Sequence, residues 1–285
     1  MAQIGVQAST IKSKFTELGT FETLKKVSDL GYHAIEISQV PMTPENVADM
    51  RRAQDELGLR MAALSASLTP QMGGTESLTT TFDKIVADCK ALDTTMVRIG
   101  MLPFEAMGSL DLVVDFAGRA DEAAKALAAE GIDLYYHNHH VEFAKFDGRF
   151  MLDVIADTAP DLGMEIDVHW AHRGGQDPVA TLAQHAGRVK LVHLKDYRIG
   201  TMPPAVMEMI AAGDFAGVMG AFKDVVQFAE VGQGTLDWPA IVEQALTSGA
   251  EYLFVEQDDT YGRDPFESLA MSRDHLVSLG YSHLF

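Results

Sequence analysis

The sequence predicts an α/β fold closed into a (β/α)8 TIM barrel, and three observations predict it. Eight short, apolar, β-rich runs alternate with segments of helical period across the 285 residues. Most successive runs begin roughly 25 to 37 residues apart, the length of one strand–helix unit. Polar residues gather at the C-terminal ends of several runs, the face on which barrel active sites are built. Eight units and polar strand ends favour a closed barrel over an open, doubly wound sheet. The length suits one barrel of roughly 250 residues plus an insertion, and such a chain buries a large core without disulfides.

The runs follow in order. They are IGVQAS (4–9), AIEIS (34–38), RMAALSAS (60–67), MVRIG (96–100), DLYYHN (133–138), LGMEIDV (162–168), VKLVHLK (189–195) and EYLFVEQ (251–257). Between the first two, FETLKKVSDLG sets Phe21, Leu24, Val27 and Leu30 on one helical face. Before the fifth, LDLVVDFAGRADEAAKALAAEG reads as a helix closed by Gly131. The interval from the seventh run to the eighth is about twice the usual length. It predicts an insertion over approximately 197–236 in the seventh βα loop, with one or two short helices. Such an insertion serves as a lid, a stabilising excursion or an oligomer contact. At its end, Gly232 and Gly234 shape the loop before Asp237, an N-cap for DWPAIVEQAL. No linker, low-complexity tract or second domain is evident, so residues 1–285 read as a single domain.

Composition narrows the function. Hydrophobic residues make up 47% and charged residues 22%, as in globular proteins. Against 22 Lys and Arg stand 41 Asp and Glu, a net charge of −19. Nucleic acids and anionic membrane surfaces both call for a basic footprint, so neither is expected as a partner. Cys89 is the one cysteine, which excludes an internal disulfide and fits a reducing compartment. The opening MAQIGVQAST lacks the basic region and apolar run of a signal peptide. Every apolar stretch falls short of the roughly 20 residues of a membrane helix. The expectation is a soluble cytoplasmic protein with a small-molecule partner; a homo-oligomer stays open.

Six of the ten histidines (His137, His139, His140, His169, His172 and His193) stand at or just past predicted strand ends. A lone histidine is usually a satisfied core or surface residue; six so placed point to a site. The fifth run ends in YHNHHVEF, the sixth in EIDVHWAHRGGQDP, the seventh in VHLKD and the eighth in FVEQDD. In a barrel these four ends are neighbours round half the mouth, so Glu142, Asp167, His193 and Glu256 are expected to converge. Three carboxylates and one imidazole, without a thiolate, suit a divalent ion: Mn2+ first, with Mg2+, Co2+ or Zn2+ also compatible. Each residue also has a plainer reading. Glu142 is then a solvated loop acid, His193 a core histidine, and Asp167 and Glu256 strand-end charges paired because they are buried.

Other candidates surround these four. His139 is a base or a supporting group. Lys195 follows His193 by two residues, shares its side of the strand, and can polarise a carbonyl. Glu36 ends the second run, in reach of a substrate hydroxyl. His137 and Trp170 are candidates for the substrate side, Trp170 as an apolar wall or as plain packing, and Arg173 with Gly174 and Gly175 reads as an anion cup or as a turn. No G-x-S-x-G elbow, phosphate-binding lysine loop or dinucleotide fingerprint occurs.

YHNHHVEF, the Asp of EIDVHW followed by GGQDP, LVHLKDY, VGQGTLDW and FVEQD resemble the sugar phosphate isomerase/epimerase superfamily. These are the xylose isomerase-like barrels, which also include inosose dehydratases and endonuclease IV. The likeness runs over nearly the whole chain, from GVQAST through GYHAIEIS to the end. It implies a divalent metal held by Glu, Asp, His and Glu from strands five to eight, which by position are Glu142, Asp167, His193 and Glu256. Ketose 3-epimerases of this group carry the first glutamate on the strand itself, where this chain has Tyr135 or Tyr136. Glu142 is then expected to serve from the following loop. That draws the chain towards members with H-N-H-x-x-E-F, some of which act on 3-keto sugars or inososes.

The chemistry implied is proton abstraction next to a carbonyl, through an enediolate that the metal stabilises. Glu142, Glu256 or His139 takes the proton, with Lys195 beside the substrate oxygen. The leading expectation is a metal-dependent sugar isomerase or epimerase. Second stands a lyase or dehydratase acting on a keto-sugar or inosose. A nuclease like endonuclease IV is disfavoured by the net charge, and a non-catalytic sugar-binding protein is the bland alternative.

Overall fold

The computed structural model describes residues 2–70 and 76–285. Eight parallel strands close into a barrel. They are β1 (Gln3–Gln7), β2 (Ala34–Ile37), β3 (Arg60–Ala66), β4 (Met96–Ile99), β5 (Asp133–His137), β6 (Gly163–Asp167), β7 (Val189–Leu194) and β8 (Tyr252–Val255). Each strand pairs with its sequence neighbours, and β1 pairs with both β2 and β8, which completes the (β/α)8 ring.

Alternation along each strand divides its side chains between two environments. One parity faces the helices and is apolar: Ile4 and Val6, Ile35 and Ile37, Val97 and Ile99, Met164 and Ile166, Val192 and Leu194, Leu253 and Val255. The other parity fills the barrel in layers. Ala34, Met96, Tyr135, Leu191 and Phe254 form an apolar floor. Gly163 leaves room there for the Tyr135 ring, which any Cβ at that position would strike. Above the floor the same parity turns polar, with Glu36, Arg98, Glu165 and His193, then His137, Asp167, Lys195 and Glu256, all buried.

Strand ends differ from the sequence expectation where side chains redirect the backbone. The first run leaves the sheet at Gln7, because the Gln7 side chain accepts from the Ser9 amide at 2.5 Å and starts a 3-10 turn, Ala8–Ile11. Val168 belongs to a short helix, Val168–Arg173, because Asp167 caps it by accepting from the Trp170 amide at 3.0 Å. Helix Leu110–Ala128 is amphipathic as expected, burying Val113, Phe116, Ala117, Ala120, Ala124 and Leu127. Gly131 follows it at φ +78°.

The insertion carries more than helices. Asp196–Ile199 and Val226–Ala229 pair as an antiparallel stem, and the stem presents two helices, Val206–Ala212 and Phe215–Asp224. The buried Asp196 carboxylate anchors the stem's return. It accepts from the amides of Gly232 (3.1 Å), Gly234 (3.1 Å) and Thr235 (3.0 Å) and from the Trp238 indole at 2.8 Å. A side chain at Gly234 would collide with that carboxylate, which explains the glycine. Asp237 then caps helix Trp238–Ser248 by accepting from the Ala240 amide. Asp196→Ala strands the buried Trp238 indole N–H and several partly buried amides at once, and is expected to cost about 2–3 kcal/mol. Thermal melting followed by circular dichroism checks this, and a loss below about 0.5 kcal/mol would contradict the anchoring role.

Candidate metal centre at the barrel mouth

Four side chains meet at the C-terminal ends of β5 to β8. His137, Asp167, His193 and Glu256 each offer a ligand atom, all within 4.8 Å of one another, and all four residues are buried. His137, at the end of β5, sets its Nδ1 3.2 Å from the Gly100 carbonyl. A carbonyl only accepts, so Nδ1 carries the proton and Nε2 presents a lone pair, 3.5 Å from Asp167 Oδ2. Burial keeps this imidazole neutral by holding its pKa well below the usual value.

Asp167 is placed by its neighbours on both sides. Its Oδ1 caps the following helix, and its amide donates to Asn138 Oδ1 at 3.0 Å, which ties the end of β6 to the end of β5. Oδ2 is thereby left for the centre. His193 points Nδ1 at Glu256 Oε2 (2.9 Å) and Nε2 at Glu165 Oε1 (3.1 Å) and Glu36 Oε1 (3.3 Å). Burial works against the charged ring, but the carboxylates of Glu165, Glu256 and Glu36 outweigh it and raise its pKa well above the ordinary value. Glu256 accepts from Ser9 Oγ at 2.8 Å through Oε1. Burial would raise its pKa, yet the Lys195 ammonium and the His193 ring hold it well below the carboxylate range.

The donor set fits a divalent ion. His137 Nε2, Asp167 Oδ2, His193 Nδ1 and Glu256 Oε2 are all buried without a hydrogen-bond partner among the described residues. Two imidazoles and two carboxylates at this spacing match the ligands of Mn2+, Zn2+ or Co2+. Lys195 Nζ supplies positive charge to the same oxygens, 3.1 Å from Asp167 Oδ2, 2.7 Å from Glu256 Oε2 and 2.9 Å from Asp258 Oδ2. Asp258 offers its Nζ a berth beside the centre. Glu36, Glu165 and His193 form a second close group. There the Arg98 guanidinium already sits, with Nε 2.6 Å from Glu36 and 3.4 Å from Glu165, so this layer is a charged floor under the centre.

The sequence-expected residues are distributed as follows. The structure brings Asp167, His193 and Glu256 together, with Lys195 among them. Glu142 is elsewhere: fully buried, it accepts from Tyr136 Oη at 2.6 Å and from the His139 amide at 2.8 Å. Tyr136 follows the outward parity, with its ring against Phe116 of the outer helix, so a carboxylate bound to it lies behind β5. His137, expected as a substrate contact, takes the fourth position in the group. Glu36 faces Arg98 and Gln7 in the charged floor. His139 sets its ring edge-on to His137 (4.8 Å) and tilted against Trp170 (5.6 Å), and burial lowers its pKa to about 2. Trp170 lies beside the Lys195 ammonium, 5.3 Å from ring centre to Nζ. Arg173 is exposed over Trp170 and Tyr197, and Gly174 is small because Phe143 packs against it.

Arg98, Glu165 and Asp258 were not singled out in the sequence. For Glu165 a signal was present: it precedes Asp167 by two residues and so shares its inward face.

The family model for the xylose isomerase-like TIM barrel matches residues 24–277. No curated protein sequence matches the chain significantly. Solved structures do. A sugar phosphate isomerase/epimerase from Parabacteroides distasonis superposes with a TM-score of 0.73 at 20% identity, covering 99% of this chain and 100% of that one. A probable 3-DHS dehydratase from Bacillus anthracis gives 0.69 at 13% identity over 97% and 99%. The IolI protein with a bound zinc atom gives 0.66 at 16% identity over 99% of each chain. At these identities the likeness concerns the fold.

Proposed function

The chain belongs to the xylose isomerase-like TIM barrel family, and from that premise we propose that it is a divalent-metal-dependent sugar isomerase or epimerase. The observation that carries this reading is the convergence of four buried ligand atoms, from His137, Asp167, His193 and Glu256, within 4.8 Å of one another at the barrel mouth. When bound there, a divalent ion supplies Lewis-acid polarisation of a substrate carbonyl and charge stabilisation for an enediolate. Mn2+ is the ion we favour.

The protein's own groups do the rest. Glu256, held ionised, accepts the proton from the carbon next to the carbonyl through Oε1, the oxygen beside Ser9 Oγ, and leaves the ligand set to Oε2. Lys195 stands 2.7 Å from Oε2 and donates to the substrate oxygen on which charge develops. Trp170 and His139 place their rings beside the centre. Return of the proton by Glu256 to the neighbouring carbon isomerises the sugar, and delivery of a proton by water to the opposite face epimerises it.

One observation favours a second reading, a lyase or dehydratase acting on a keto-sugar or inosose. The β5 position carries neutral His137, so β5 itself brings no carboxylate to the centre as a second base. β-Elimination needs only one such group: Glu256 takes the proton next to the carbonyl and returns it to the departing hydroxyl, with the Lys195 ammonium beside the developing charge.

The test uses metal-stripped protein reconstituted with Mn2+, Mg2+, Co2+ or Zn2+ and incubated with ketoses, 3-keto sugars and inososes in D2O. Metal-dependent deuterium incorporation, read by NMR, is expected. A product absorbing in the ultraviolet assigns the lyase. Absence of carbon exchange and of elimination across the panel would overturn both readings.

A further inference from the structure

We propose that the apolar face of the insertion is a self-association surface, and that its occupant is a second copy of this chain. Of the large apolar side chains exposed among the described residues, Ile199, Met202, Met207, Ile210, Phe215, Met219 and Phe222 all fall within one 24-residue stretch. Phe215, Met219 and Phe222 recur at i, i+4 and i+7 on the second helix, and Met207 and Ile210 at i and i+3 on the first. Phe215 is 75% exposed and Met207 70%, and the second helix, FAGVMGAFKD, has no buried residue. A ten-residue helix in water has too few hydrogen bonds to stand without packing one face, so this face needs a partner.

Area and charge choose the partner. The seven side chains expose on the order of 700 Å2, close to what each member contributes to a standard-size protein interface. Across a two-fold axis the two helical pairs meet as a four-helix cluster, and the same patch serves both copies. The chain carries a net −19, which opposes contact between copies over most of its surface. Residues 199–222 hold two ionisable groups, Glu208 and Asp214, so the Coulombic cost of pairing is lowest here. Lys223 on the second helix and Arg198 before Ile199 are the basic residues beside the patch, too few for the basic cluster that an anionic lipid surface calls for.

The experiment is sedimentation velocity and light scattering on the full chain, from about 1 µM to about 100 µM, with a Kd below about 10 µM expected for an interface of this size. A species of twice 31.0 kDa is expected. The double variant Phe215→Glu/Phe222→Glu is expected to run as a monomer with the melting of the barrel retained. Hydrogen exchange on the unmodified protein gives an independent reading, in which amides of residues 206–224 gain protection as concentration rises. A monomer at every concentration would overturn the proposal. So would a dimer that persists in the double variant, or a monomer that co-sediments with phosphatidylglycerol vesicles.

Discussion

Asp167→Asn is expected to weaken Mn2+ binding at least 100-fold and to lower turnover by roughly three orders of magnitude. Asp167 divides its carboxylate between two tasks: Oδ1 caps the next helix, and Oδ2 faces the two imidazoles and Glu256. The amide keeps an oxygen for the cap, so the fold survives while one full ligand charge disappears. Titration calorimetry against a competing chelator reads the affinity, and deuterium incorporation reads the turnover. Glu142→Gln is the matched control. Its carboxylate is bonded behind β5 to Tyr136 and His139, so the substitution is expected to cost about 1–2 kcal/mol of stability and to change metal affinity less than about threefold. If Glu142→Gln lost the metal and Asp167→Asn kept it, the centre would have to be redrawn around the β5 loop.

Arg98→Leu carries the second large effect, on stability. Arg98 is the guanidinium between the buried carboxylates of Glu36 and Glu165, with its Nη2 also donating to Ser38 Oγ at 3.1 Å. Removing it leaves the ionised Glu36 carboxylate, and a Glu165 carboxyl that burial and Glu36 push up to about 8, in the barrel interior with His193 as their remaining cationic partner. The expected loss is about 3–5 kcal/mol, or roughly 6–15 °C in Tm. Removing the charges together separates charge from packing: Glu36→Gln/Arg98→Met/Glu165→Gln is expected to regain most of the lost stability, because neutral groups cost less to bury. Denaturant unfolding of the three proteins decides the matter, and an Arg98→Leu protein within about 0.5 kcal/mol of the parent would sink the charged-floor account. The same layer presses on His193 Nε2 from below, so metal affinity is expected to fall with it.

Much of this was legible in one dimension. Eight β-rich runs at the spacing of one strand–helix unit fix a barrel, because local pattern and connection length leave few other topologies. Asp167, His193, Lys195 and Glu256 could be placed from strand ends and period-two alternation, both of which are properties of the backbone. The insertion was legible as excess length, long enough for one or two short helices.

What the chain alone left open was parity at the end of β5 and the partners across the barrel. HNHHVE offers four candidate ligands within six residues, and at a strand-to-loop junction alternation stops being a guide. Only the folded backbone decided that His137 turns inward, while the Tyr136 hydroxyl draws Glu142 to the outer side. Arg98 and Glu165 are 67 residues apart in sequence yet 3.4 Å apart across the barrel, a pairing set by closure and shear and by no local signal. The sequence by itself therefore determined the architecture and the face on which the chemistry sits, because both follow from local periodicity. The tertiary structure alone decided which atoms meet there, because meeting depends on how eight strands close on one another.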